Sequence, residues 1–179
     1  METMKTILSR KSVRSYKDTA VSSEALQTIL KAANASPVGM AKYETVHMTV
    51  IQNPELIQEI DRAGAEFFGD LSKTPLYHAP VLIVVSTKRT GVAAQDNVPC
   101  ANVAMIVHNM CLAATDLGLG SCAIYGATAA LSQKEELVKR LNLPEGFVPT
   151  GSVVIGETEE VFKEREVPMD RIDTNYINK

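Results

Sequence analysis

The stretch that most constrains this 179-residue chain is residues 102–126, NVAMIVHNMCLAATDLGLGSCAIYG. Val103, Ile106, Val107, Met110, Ala114 and Leu117 recur at the spacing of one helix face. Ala104, Met105, Cys111, Leu112 and Ala113 fill the flanks, so the helix is apolar nearly all round. Such a helix must be covered on nearly all sides. In a chain this short, its own sheet can cover one side and a partner subunit another. Gly118 supplies the left-handed residue on which many helices end. Residues 121–125 read as a short buried strand, and Gly126 lets another group approach its backbone closely. Gly118-x-Gly120-x-x-Ala123 also matches the letters of a dinucleotide-binding fingerprint. That device needs a strand before the glycines and a helix after them. Here the order is helix then strand, so the glycines read as a helix stop.

Composition supports one ordinary globular domain over residues 1–179: 45% apolar residues, 22% charged and a net charge of −3. That balance offers no global field for nucleic acid. No uninterrupted apolar run reaches the length of a membrane span, and no signal-like region follows the first residues. The expectation is a cytoplasmic protein with neither nucleic acid nor membrane as partner. Cys100 and Cys111 fall on one helix about 16 Å apart, too far to bridge, and no C-x-x-C pair exists. His47, His78 and His108 lack metal-ligand spacing, so no metal site is expected.

Residues 1–9 suggest a short amphipathic helix with Met4, Ile7 and Leu8 on one side. Residues 10–16, RKSVRSY, then gather three cations among hydroxyls. If extended, this segment points Arg10, Ser12 and Arg14 to one side. Two guanidinium forks flanking a hydroxyl suit a phosphate monoester, and a solvated turn is the bland alternative. Ser22 or Ser23 caps a helix with the stripe Leu26, Ile29, Leu30 and Ala33. It stops before the loop Pro37-Val38-Gly39-Met40, where Gly39 frees the backbone to lie flat against a neighbour. Residues 45–51 form a strand by their two-residue period. Asn53 caps a helix that starts at Pro54 and runs through Leu56, Ile57 and Ile60 towards Phe67 and Phe68. Residues 81–85 are a central strand, and residues 87–97 a polar connection. Ser132-x-x-Glu135 reads as a capping box for a helix carrying Leu137, Val138 and Leu141. Residues 153–155 are the last strand. The charged tail from about residue 158 to 179 holds Lys163, Arg165 and Arg171, and such a tail frays or wraps a neighbour.

Taken together, these stretches resemble the nitroreductase family of FMN-dependent, homodimeric flavoproteins, over nearly the whole chain. The matching motifs are Arg10-Lys-Ser-Val-Arg14-Ser-Tyr16, the helix and loop over residues 26–37, Ala79-Pro-Val-Leu-Ile-Val-Val85, and Asn109-Met-x-Leu-Ala-Ala-x-x-Leu-Gly-Leu-Gly-Ser-Cys-x-Ile124. The resemblance implies an α+β fold of three α/β/α layers around a mixed, mainly antiparallel sheet. It implies that Arg10, Lys11 and Ser12 hold the FMN phosphate and ribityl chain, with Arg14 nearer the pyrimidine edge. Pro37, Val38, Gly39 and Met40 would pass against the flavin, part of that loop coming from the other subunit. Ala123, Ile124, Tyr125 and Gly126 would cover the opposite face, and Lys163 and Arg165 match the family's late basic pair at the phosphate. The implied activity is NAD(P)H-dependent reduction of nitroaromatics, quinones or similar acceptors by a ping-pong mechanism, with no catalytic side-chain nucleophile.

One departure bears on substrate choice. Where the family usually continues with Asn and Gln-Pro-Trp, this chain has Ala41 and Tyr43-Glu44-Thr45, and no tryptophan anywhere. Tyr43, Phe67 and Phe68 are candidates for the acceptor pocket, with helix core as the alternative for the phenylalanines. Another flavin reaction (ene reduction, dehalogenation, flavin fragmentation) and a non-catalytic FMN-binding protein are the alternative functions.

Overall fold

In the computed structural model, which describes residues 2–89, 91–92 and 96–178, one four-stranded sheet separates two layers of helix. In chain order the elements are α1 (Thr3–Ser9), α2 (Ser23–Asn34), β1 (Val46–Ile51), α3 (Pro54–Phe67), β2 (Val81–Lys88), α4 (Asn97–Asp116), β3 (Gly120–Ile124), α5 (Gly126–Ser132), α6 (Glu135–Arg140) and β4 (Phe147–Gly156). The strands lie in the order β1-β2-β4-β3, and all three pairings are antiparallel. The three-layer α+β expectation holds, with no parallel pairing among the described residues.

Period-two alternation on β2 divides the core. Val81, Ile83 and Val85 face α2 and α4, together with Val153 and Ile155. Leu82 and Val84 face α3, α5 and α6, with Cys122, Ile124 and Val154. A strand covered on both faces needs an unbroken apolar run, which β2 has. Local signals start α2 and α3 and stop α4 as expected. Ser22 Oγ accepts from Ala25 N–H (3.2 Å) and Asn53 Oδ1 from Leu56 N–H (2.8 Å). Gly118, at φ +76°, closes α4 in a Schellman arrangement: Leu119 N–H bonds Ala114 O (2.8 Å) and Gly118 N–H bonds Thr115 O (3.1 Å).

Three expectations need correction, and one helix was not foreseen. β4 is far longer than residues 153–155 and sits in the middle of the sheet. Pro149 disguises it, because proline cannot donate to a ladder. The strand accommodates Pro149 with a register shift, Val85 pairing Gly151 while Ser86 pairs Pro149, so that Thr150 is the extra residue. Helix α5 was hidden in a small-residue run, GATAALS, that shows no wide apolar stripe. Ser132 ends α5 and donates to Ala129 O (2.7 Å), so it caps nothing, and α6 begins after Lys134 without a side-chain cap. Lastly, α1 buries Thr6 and Ser9 and leaves Met4 and Ile7 exposed.

Helix α4 is only half covered by its own chain. Val103, Ile106, Val107, Met110 and Ala114 are buried, while Ala101, Ala104, Met105 and His108 remain exposed. Among the described residues it is the one helix long and apolar enough to cross a membrane. Its packing against β2, β3, β4 and α2 makes it the central helix of the fold.

Small residues set the spacing of the other layer. A Cβ on Gly64 of α3 would meet Pro75 Cγ at 2.8 Å and Ala127 Cβ of α5 at 2.9 Å. Gly64→Ala is therefore expected to lower stability by about 1–3 kcal/mol through overpacking, although alanine is the better helix former by ~1 kcal/mol. Urea denaturation checks the sign, and a stabilised variant would refute the tight α3–α5 contact.

Candidate functional site

Residues 10–16 leave α1 extended and cross the free edge of β3. Val13 N–H donates to Ser121 O (2.9 Å), and its side chain is fully buried. A Cβ on Gly120 would meet Val13 Cγ1 at 2.9 Å and Tyr16 Cε1 at 3.1 Å, so glycine is what lets the segment lie this close. With Val13 turned inward, the two-residue period turns Ser12 and Arg14 outward, and both are exposed while Arg10 is half-buried. The segment bridges the two layers. Arg10 acts on His108 and Cys111 of α4, and Arg14 lies over Tyr77 on the α3 side, its Cζ 5.8 Å from the ring centroid. Burial pushes the Cys122 thiol up, and Arg14, Ser12 and Arg10 pull it partly back.

Lys11 departs from its neighbours. Its Nζ lies 2.6 Å from the Glu160 carboxylate and 5.8 Å from the Phe162 ring centroid, so it faces the C-terminal tail. That tail runs antiparallel to the basic segment. Lys17 N–H donates to Glu157 O (2.9 Å), Thr158 Oγ1 donates to Ser15 O (2.9 Å), and Lys17 pairs with Glu159 (2.6 Å). Arg165 Nε and Nη2 donate to the carbonyls of Leu8 (2.8 Å) and Ile7 (3.3 Å) at the end of α1, where Arg10 is the C-cap. Lys163 is exposed two positions earlier. Arg165 thus reaches the end of α1 just before Arg10, and the first half of the tail lies on its own chain. The exposed remainder includes Met169, Ile172, Tyr176 and Ile177.

The loop after α2 is held from α4. Gly39 N–H donates to Asn102 Oδ1 (3.0 Å), and Asn109 Nδ2 donates to Ser36 Oγ (2.8 Å), which in turn donates to Ala32 O (3.2 Å). Pro37 is exposed and Val38 buried. Met40 and Ala41 adopt φ +56° and +54°, left-handed values that cost a non-glycine residue roughly 1–3 kcal/mol. Sequence reading missed Asn102 and Asn109 as positioning groups. The available signal was two amides, Asn102 and Asn109, inside the apolar stretch of α4, since a buried amide demands a partner. Asn102→Ala should orphan the Gly39 N–H and cost about 1–3 kcal/mol. Faster amide exchange or proteolysis at residues 38–42 would register the loosened loop.

At the far end of β3, Ala123 and Tyr125 are exposed and Ile124 is buried. Gly126 opens α5, and the group lying over it is the Phe68 ring, where any Cβ would collide. Phe68 also packs edge-on to Phe67, with centroids 5.7 Å apart. Both phenylalanines are about half exposed and so are not helix core. Tyr43 belongs to the other layer, its hydroxyl 3.5 Å from Ser36 O. One subunit therefore does not bring Tyr43 together with the phenylalanines.

Three layers with an antiparallel sheet at the centre, and a basic segment along its open edge, define an α+β protein. Residues 7–157 match the family model described as "Nitroreductase family". This chain belongs to the nitroreductase family. A relative from Methanothermobacter thermautotrophicus, provisionally named NADH dehydrogenase/NAD(P)H nitroreductase, is 30% identical over 166 residues, covering 89% of this chain and 79% of its own. Two solved structures of nitroreductases with bound FMN superimpose closely. The Desulfitobacterium hafniense protein has a TM-score of 0.83 and 27% identity, and the Bacteroides fragilis protein 0.81 and 28%. Each match covers 98% of this chain and 100% of the other.

Proposed function

We propose that this protein is an FMN-dependent oxidoreductase that draws electrons from NAD(P)H and passes them to small electron-poor acceptors such as nitroaromatics or quinones. The observation that carries this reading is the bond from Arg165 to the Leu8 carbonyl, 157 positions away, which ties the late basic pair to the start of the segment that carries Arg10 and Ser12 past the β3 edge. A phosphate monoester dianion needs several charge-assisted donors, and this set fits it. Arg10 and Ser12, with Lys163 and Arg165, would hold the phosphate end. Arg14, towards the other end of the segment, would stand near the pyrimidine edge of the ring and favour its reduced, anionic form. The strained loop over residues 37–41 would pass along the rim of the ring, and the backbone of residues 123–126 would support the face that is not left open. Lys11, occupied by Glu160, serves the tail more than the cofactor.

When bound, FMN supplies the two-electron carrier. The protein's own work is to grip the phosphate, fix the ring, and keep one face open so that donor and acceptor occupy it in turn. Such alternation gives ping-pong kinetics. The uncovered faces of α4 and α1 and the apolar tail residues support a homodimer in which residues 166–178 embrace the partner. A cytoplasmic location accompanies this reading.

Ala41 and the Tyr43-Glu44-Thr45 turn favour a second reading, a flavoprotein with a different reaction or none. One experiment separates the possibilities. Purified protein loaded with FMN should bleach under NADH or NADPH without oxygen and recover its colour when a quinone is added. Protein that takes up no FMN at micromolar concentration ends the principal reading. FMN-loaded protein that never bleaches favours the second.

A further inference from the structure

We propose that Tyr77 is a positioning residue for Arg14, held over the guanidinium by a strained turn that Asp61 and Gly64 anchor to α3. The inference rests on the FMN reading above, because it concerns how the cation at the ring's edge is kept in place.

The turn over residues 74–79 is costly and well anchored. Tyr77 and His78 both adopt φ +56°, and two consecutive left-handed non-glycine residues persist only where the surroundings dictate them. Here the surroundings do. Asp61 Oδ1 accepts from Leu76 N–H at 2.6 Å, Tyr77 N–H donates to Thr74 O (2.8 Å), and Ala79 N–H donates to Leu76 O (3.1 Å). Leu76 is almost wholly buried, and Pro75 rests on the bare backbone of Gly64. Burial raises the Asp61 carboxyl above its ordinary value, so its placement on the turn is itself unfavourable for the charge. Such strain at a surface turn calls for a reason.

The product of the strain is the placement of one ring. Tyr77 is half-buried, its ring packs onto the α3-side core, and Arg14 Cζ lies 5.8 Å from its centroid. Among the described residues no carboxylate pairs with Arg14, and Tyr77 is the aromatic residue placed against it. A hydrogen bond to the Tyr77 side chain is the largest of the influences that raise the Arg14 guanidinium above its ordinary pKa. A free arginine samples many rotamers. Stacking over tyrosine removes most of them before any ligand arrives, so the charge is pre-organised where a developing negative charge needs it.

The test uses FMN-loaded protein and reads the two-electron midpoint potential and the FMN Kd. Tyr77→Leu should reduce the preference for reduced over oxidised flavin about tenfold, equal to a potential lower by about 30 mV. Tyr77→Phe, which keeps the ring and loses the hydroxyl, should shift the potential in the same direction but by less than Tyr77→Leu. In an Arg14→Ala background, Tyr77→Leu should change neither quantity further. Asp61→Ala provides a second route, leaving the ring but releasing the turn, and should shift the potential in the same direction. A wild-type potential in both Tyr77→Leu and Asp61→Ala overturns the inference. So does an equal shift by Tyr77→Leu with and without Arg14. These results leave the FMN reading intact, whereas wild-type protein that takes up no FMN removes both.

Discussion

Arg10→Ala is expected to weaken FMN binding by about 1.5–3 kcal/mol, roughly 10- to 150-fold in Kd, the scale of a hydrogen bond to a charged group. Arg10 stands at the C-cap of α1, half-buried and without a carboxylate partner among the described residues. Its charge is therefore available to a ligand, and no internal ion pair must be broken first. Lys11, one residue on, provides the contrast. Its ammonium already sits 2.6 Å from Glu160 at a part-exposed site, so Lys11→Ala should cost at most about 1 kcal/mol of FMN affinity. Fluorescence titration of both variants measures the difference. Equal losses would place the phosphate elsewhere along the segment, and an unchanged Arg10→Ala affinity would remove the site.

Ile83→Ala should be the more damaging change for folding. Ile83 is wholly buried in β2, paired with Val50 on one side and Val153 on the other, and its side chain enters the layer formed with α2 and α4. Truncating a buried isoleucine removes transfer free energy and leaves a cavity that the neighbours fill only in part, about 2–5 kcal/mol in all. For a chain of this size each kcal/mol moves the melting temperature by about 2–4 °C, so a fall of roughly 4–20 °C is expected. The measurement belongs on cofactor-free protein, since a bound ligand adds its own stabilisation. A fall under about 2 °C would mean that this layer repacks freely.

Elements with a complete local signal were legible in the chain itself. Helix α2 has both its stripe and its Ser22 cap, α3 has Asn53 and Pro54, and α4 has its apolar surface and Gly118. Elements made by tertiary contact were not. Helix α5 exists because alanines let it press against Gly64, and the first half of β4 because a bulge at Thr150 absorbs Pro149. The candidate site divides in the same way. Its charges were visible as a cluster, and in the extended segment Ser12 and Arg14 turn outward opposite the buried Val13, while Arg10 turns towards α4. That Lys11 turns away, and that Asn102 and Asn109 hold the facing loop, depends on residues far along the chain. Neither pairing leaves a mark in local spacing.

The strapping of Arg165 onto Leu8 also sets a clock. During translation at about 5–20 residues per second, residue 165 is made roughly 8–30 s after residue 8. On the function proposed above, the phosphate end gains its late cations only then. A nascent chain with its sheet already assembled would hold the pigment more weakly than the chain that has closed this strap.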